Sequence, residues 1–137
     1  MVEVGIVPPS DVEKHQNILR PFVRKMDRAV PGQWTWEYVK REAELSRLHL
    51  WIASDGKSLL MVVGCRFEQL PGGRRYYDIM FAAGGHLAGV FHPMMDKFEE
   101  VAKAAGAVVR VPIGRRGWKR LMTERGMKVT GYCYEAT

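Results

Sequence analysis

No apolar run in the 137 residues approaches the roughly 18 needed to cross a bilayer, so no membrane span is expected. The N-terminus has no basic segment leading into an apolar one, so no secretory signal is expected either. Cysteine is scarce. Cys65 and Cys133 stand far apart, with no CxxC and no Cys/His cluster, which leaves a zinc site without support. Each lies in a strand-like apolar run, the pattern of buried, reduced thiols in a cytoplasmic protein. Repeats, low-complexity tracts and linkers are missing. No Ser/His/Asp spacing and no GxSxG occurs, so nothing points to a hydrolase with an activated serine. Acidic residues are in deficit, 15 against 21 Lys and Arg, and the net charge of +6 suits an anionic ligand or nucleic acid without choosing between them. What is present is 47% hydrophobic and 26% charged residues, an ordinary globular balance, over a length suited to one domain spanning 1–137.

Local patterns give the element order. Val2 to Val7 reads as a strand. Ser10 and Glu13 form a capping-box pair that predicts a helix start. Val12, Leu19, Phe22, Val23 and Met26 then share one helical face, with a break or kink expected at Pro21. Thr35 is placed to cap a second helix running through Arg47, with Glu37 in its positive first turn. "HLWIAS", "SLLMVVGCRFEQL" and "RRYYDIMFAA" read as three strands joined by "DGK" and "PGG" turns, an antiparallel meander. After "GGHLAG", Leu87, Val90, Phe91, Met94, Met95, Phe98, Val101, Ala102 and Ala105 recur at helical spacing, opposite a charged face. Pro93 suggests that this helix starts there after a separate turn, and Gly106 supplies its left-handed cap. "AVVRVPI" is a buried-type strand, followed by a basic helix and by "MKVTGYCYEA" as a last strand. The order β-α-α-β-β-β-α-β-α-β contains a strand–helix–strand crossover of the right-handed parallel kind. The expected class is therefore α/β (α+β), a mixed sheet with helices on both faces.

That order, the glycine-bearing turn before the longest helix, and "GRRGWKRLMTERGMKVTGYCYE" resemble the GNAT N-acetyltransferase superfamily over nearly the whole chain. Gly126 and Met127 stand where that family commonly has Gly–Phe. "AAGGHLAGVFHPMMDKFEEVAKAAGA", with "RRGW", is also similar to small divergent GNAT-like proteins of bacteriophages and prophages. The resemblance implies that Val109 to Ile113 lies parallel to the strand holding Asp78 and opens a wedge where Gly84 begins the crossover.

It also implies a chemistry. Acetyl-CoA would be held by its pyrophosphate at a helix N-terminus, where backbone N–H groups and the helix dipole favour an anion. Gly84, Gly85, His86 and Gly89 occupy that turn, although "GGHLAG" does not reproduce the family spacing and lacks its leading Arg or Gln; a plain turn is the other reading. The family's general acid, a tyrosine four residues before the glycine, falls on Met122, which cannot donate a proton. Tyr132 or Tyr134 would replace it only if the last strand brought one to the cleft. Asp78, amid "YYDIMF", matches the strand from which family enzymes often draw a carboxylate base, and aromatic surroundings would raise its pKa. An ion pair with Arg66 or Arg75 across the meander is the alternative.

Arg115, Arg116, Lys119 and Arg120 crowd the start and outer surface of the basic helix, where cations oppose the helix dipole. Such a cluster suits the phosphates of a CoA-like ligand, another anionic partner, or solvent. Trp118, Leu121, Met122 and Arg125 fall on the other face and should pack inward. Two functions follow from the resemblance, an acyl-CoA-dependent N-acyltransferase with degenerate motifs and a non-catalytic phage structural or interaction component; the basic charge alone suggests a third, a phage DNA-modifying enzyme on the same fold. The corresponding locations are the cytoplasm, or a virion if the chain is phage-encoded.

Overall fold

The computed structural model describes residues 1–111, 116–131 and 136; of Arg116 it describes the backbone alone. The elements are β1 (Glu3–Ile6), a 3-10 turn at Pro9–Asp11, α1 (Gln16–Ala29), α2 (Trp36–Glu44), β2 (His49–Ser54), β3 (Leu59–Gln69), β4 (Arg75–Gly84), α3 (Leu87–Ala104), β5 (Val108–Arg110) and α4 (Arg116–Glu124). The five strands form one sheet in sequence order. β1 to β4 pair antiparallel, and β5 joins β4 in parallel through the α3 crossover. The fold class and the mixed sheet are as the sequence patterns indicate. The proposed last strand is not seen over 127–131, and 132–135 lie outside the described residues.

Each face of the sheet buries its own cluster. Leu19 and Val23 of α1 and Trp36, Val39 and Ala43 of α2 cover Leu50, Val62 and Phe81. On the opposite face Phe91, Met94, Met95 and Phe98 of α3 and Trp118 and Leu121 of α4 cover Trp51, Val63, Tyr77 and Ile79. Burial of such side chains, at about 1.5–3 kcal/mol each, is the main force joining helices to sheet.

The helix ends show which local signals prevailed. Thr35 Oγ1 accepts the Tyr38 N–H at 3.2 Å, capping α2. Gly106 and Gly126, at φ +67° and +84°, close α3 and α4. In each, the following residue donates back across the last turn, Ala107 N–H to Ala102 O at 2.8 Å and Met127 N–H to Met122 O at 2.9 Å, which is a Schellman closure. The Ser10–Glu13 box does not start α1. Pro8 and Pro9 lead into the 3-10 turn instead, with Asp11 N–H on Pro8 O at 2.8 Å, and the helix begins at Gln16 without a side-chain cap. Pro21 and Pro93 sit inside continuous helices. Both fall within the first two turns, where the forfeited bonds involve carbonyls near the helix start. Helix α2 stops at Glu44, short of Arg47, in a Schellman closure whose left-handed residue is Ser46 (φ 60°).

Phe81 departs from strict alternation. Pairing shifts between Gly64 and Cys65, so that Met80 bulges from β4. Tyr77 and Ile79 face the α3 cluster, whereas Phe81, expected beside them, faces the α1–α2 cluster. The bulge reverses the strand's phase. Gly64 makes room for this: a Cβ there would lie 2.1 Å from the Phe81 ring.

Candidate functional site

β4 and β5 pair only through Tyr76–Val108, Tyr77–Val109 and Asp78–Arg110. Beyond Asp78, β4 runs on to Gly84 while β5 ends at Arg110, so the edge of β4 from Ile79 onward has no strand beside it among the described residues. This is the wedge. A cavity of about 120 Å³ lies along it, lined by Met26 and Val30 from the end of α1, Gln33 and Trp34 from the α1–α2 connection, Met80, Phe81 and Ala82 of the bulge, and Trp118 of α4. Trp34 lies against Phe81 with centroids 5.2 Å apart. Trp118 stands edge-on to Phe91, at 5.7 Å. Sequence reasoning had Trp118 facing inward but missed Trp34, Met80 and Phe81 as cavity walls. Gly64 was the one available hint, since glycine inside a strand often marks a bulge or a close approach.

Asp78 sits at the vertex. It is 2% exposed, and Arg110 grips it with both ends of its fork, Nε to Oδ1 and a terminal amino group to Oδ2, each at 2.7 Å. The Arg110 guanidinium also lies 4.0 Å from the Tyr76 ring centroid. The paired carboxylate holds the Arg110 proton more firmly than usual. Neither Arg66 nor Arg75 is the partner. Arg66 is opposite Asp78 in the ladder but turns to Glu68 at 2.8 Å, and Arg75 reaches the Ala105 carbonyl at 2.6 Å. Asp78 does not line the wedge cavity.

At the far end of β4 the glycine turn divides into two parts. Gly84 (φ +127°) is dictated by the fold, because a Cβ there would meet the Leu60 carbonyl oxygen at 2.4 Å. Gly85 donates its N–H to that same oxygen at 3.1 Å, which removes it as a phosphate donor. His86 adopts a left-handed conformation as the N-cap of α3, without a side-chain cap bond, and its carbonyl accepts from Gly89 and Val90. The N–H groups of Leu87 and Ala88, in the first turn, have no acceptor among the described residues. At Gly85 and Gly89 an added Cβ would meet nothing within 4 Å, so the fold does not itself require glycine at either.

Helix α4 is pinned across α3 by Arg125, which bonds Glu99 at 2.9 and 3.1 Å, Asp96 at 2.6 Å and the His92 ring at 3.1 Å. Met122 packs against the α3-side cluster. Lys119 and Arg120 are exposed. Arg115, Tyr132, Tyr134 and Cys133 lie outside the described residues, as does the side chain of Arg116; Cys65 is fully buried.

No protein-family profile matches the chain, and no curated protein matches it significantly in sequence. Solved structures do match. One is an aminoglycoside acetyltransferase from an uncultured soil metagenomic sample, with TM-score 0.74 and 15% identity, covering 100% of this chain and 98% of that one. A second is a ribosomal-protein-alanine N-acetyltransferase from Brucella melitensis biovar Abortus 2308, with TM-score 0.72 and 12% identity, covering 100% and 98%. A third is a predicted acetyltransferase from Clostridium acetobutylicum solved with acetyl-CoA, with TM-score 0.70 and 14% identity, covering 100% and 96%. At these identities the likeness is one of fold, and the fold is that of the GNAT acetyltransferases. None of the described helices is long and apolar enough to cross a membrane.

Proposed function

We propose that the protein is an acyl-CoA-dependent N-acyltransferase that binds its thioester cosubstrate in the β4–β5 wedge. The observation that carries this reading is the end of the described parallel pairing at Asp78–Arg110, with a cavity along the β4 edge past that point and a helix N-terminus beyond it. Leu87 and Ala88 N–H groups suit a phosphate. Gly89, whose Cβ position is open space, suits the close approach of a ligand to the backbone. Acetyl-CoA, the candidate cosubstrate, supplies an acyl group activated as a thioester. Arg115 and Arg116 remain candidates for its phosphates.

The chain's own contribution is mostly positional. Among the described residues the lining of the wedge cavity has no Asp, Glu, His, Lys or Tyr, so no described side chain there is placed to move a proton. Asp78, with both oxygens gripped by Arg110, sets the wedge vertex in this reading, and an incoming amine would lose its proton to water or to a residue outside the described set, Tyr132 among the candidates. The apolar walls, Trp34, Phe81 and Trp118, exclude water from the thioester and hold the reactants in line.

Calorimetry with acetyl-CoA tests this. Saturable heat and a raised Tm are expected, both weakened in Gly89→Val. Absence of heat and of any thermal shift would remove the reading. The second reading, a GNAT-shaped interaction protein from a phage or prophage, is favoured by the same lack of a proton-moving side chain and by the use of Gly85 N–H within the fold. It would then contact a virion protein or nucleic acid and ignore CoA.

A further inference from the structure

We propose that a second cavity, between the α2–β2 turn and the neighbouring ends of β2 and β3, binds a small oxyanion, a carboxylate or phosphate group, through Arg47, Arg66 and the Nε2–H of His49. The cavity is about 340 Å³, lined by Ser46, Arg47, His49, Cys65, Arg66 and Phe67. That is within the range of roughly 300–1,000 Å³ of small-molecule sites. It shares no lining residue with the wedge, and the proposal stands or falls independently of acyl transfer.

The donors converge for identifiable reasons. Ser46 takes a left-handed conformation, and the next residue, Arg47, is tied by its backbone N–H to Glu42 O at 2.9 Å. Its side chain is 64% exposed and makes a long ion pair, 3.9 Å, with Glu42. Arg66 spends its Nε on Glu68 and keeps its terminal amino groups. Among the described residues no carboxylate lines the cavity itself; Glu42 and Glu68 meet the two arginines outside its lining.

The role of His49 follows from the hydrogen bonds behind it. The Trp51 indole N–H, which can only donate, points at Tyr77 Oη at 2.8 Å. Tyr77 is fully buried, and its hydroxyl bonds His49 Nδ1. In the proposed arrangement the hydroxyl, which also has Cys65 as a hydrogen-bond neighbour, gives its single proton to Nδ1, and the imidazole carries its own proton on Nε2, the nitrogen turned away from Tyr77. Burial lowers the His49 pKa, in keeping with this neutral form. It also raises the Tyr77 and Cys65 values, so both keep their protons and Cys65 is an inert part of the wall. In this arrangement the site offers two arginines, each paired with one carboxylate, and one neutral donor, with the Phe67 ring as an apolar side, a set suited to an oxyanion.

Nitrogen-resolved NMR of the full chain, titrated separately with inorganic phosphate and with acetate against sodium chloride at equal ionic strength, tests the proposal. We expect His49 in the Nε2–H form and saturable shifts of its ring and of the Trp51 indole. A response to phosphate alone, or to acetate alone, assigns the class. Arg47→Ala, at an exposed position, should weaken binding at least fivefold, and Arg47→Ala with Arg66→Gln at least twentyfold, with acetyl-CoA calorimetry unaltered. Non-saturating shifts, an equal response to chloride, unchanged affinity in Arg47→Ala, or His49 protonated on Nδ1 would each overturn it.

Discussion

β4 meets its two neighbours on different terms. Against β3 it is paired from Arg75 to Gly84, in a hairpin closed by a short turn. Against β5 it is paired only from Tyr76 to Asp78, after a crossover through the longest helix. A short loop makes the first pairing cheap in closure entropy, and the second must draw its stability from elsewhere. The antiparallel side relies on ladder and core. The parallel side adds a forked ion pair at its last described rung. The region of the proposed cleft is thus the one held by side-chain chemistry.

Four experiments probe this contrast. The largest effect is expected at Arg110→Ala, which leaves Asp78 buried and unpaired. It should cost about 3 kcal/mol in urea unfolding, whereas Asp78→Leu with Arg110→Met should return to within about 1 kcal/mol of the parent and abolish any acetyl-CoA binding that depends on the vertex. On the antiparallel side, Gly64→Ala forces the Phe81 ring to move and should cost about 2 kcal/mol; adding Phe81→Leu should recover most of it. If Gly64→Ala proved costlier than Arg110→Ala, the ion pair would not be the main fastening of the parallel side.

The third effect is on pH dependence. His49 is held below its ordinary pKa of 6.5 by burial. The unfolded chain therefore binds the proton more readily, and stability present above about pH 6.5 falls as the pH drops through the range beneath it. Urea midpoints between pH 7 and 5 should show this decline, and His49→Gln should flatten it. The smallest effect is at Ser46→Gly. Glycine relieves the left-handed strain and should raise stability by about 0.5–1 kcal/mol, seen as a Tm increase of a few degrees.

Legibility in the sequence followed the range of each interaction. Thr35 and Gly106 act within one turn of themselves, and each was readable as a cap. The stripe from Val90 to Ala102 needed only helical spacing. The Ser10–Glu13 box was equally local, yet Pro8 and Pro9 gave the same backbone a competing 3-10 turn. At the site, the glycine turn and the parallel crossover could be read ahead of the structure. The Arg110 partner, the cavity walls and the donor status of Gly85 could not, because each depends on which residues of distant strands come opposite one another.

The sequence by itself determined the order of the main elements through α4, the antiparallel meander and the strand that returns parallel, because periodicity, caps and turn residues encode backbone conformation locally. Only the tertiary structure decided that Phe81 crosses to the α1–α2 face, that Asp78 is clasped by Arg110, and that the wedge is lined by apolar side chains and one amide. Those outcomes rest on a one-residue bulge and on long-range register, and a shift of a single position there reverses the face to which every later side chain in the strand points.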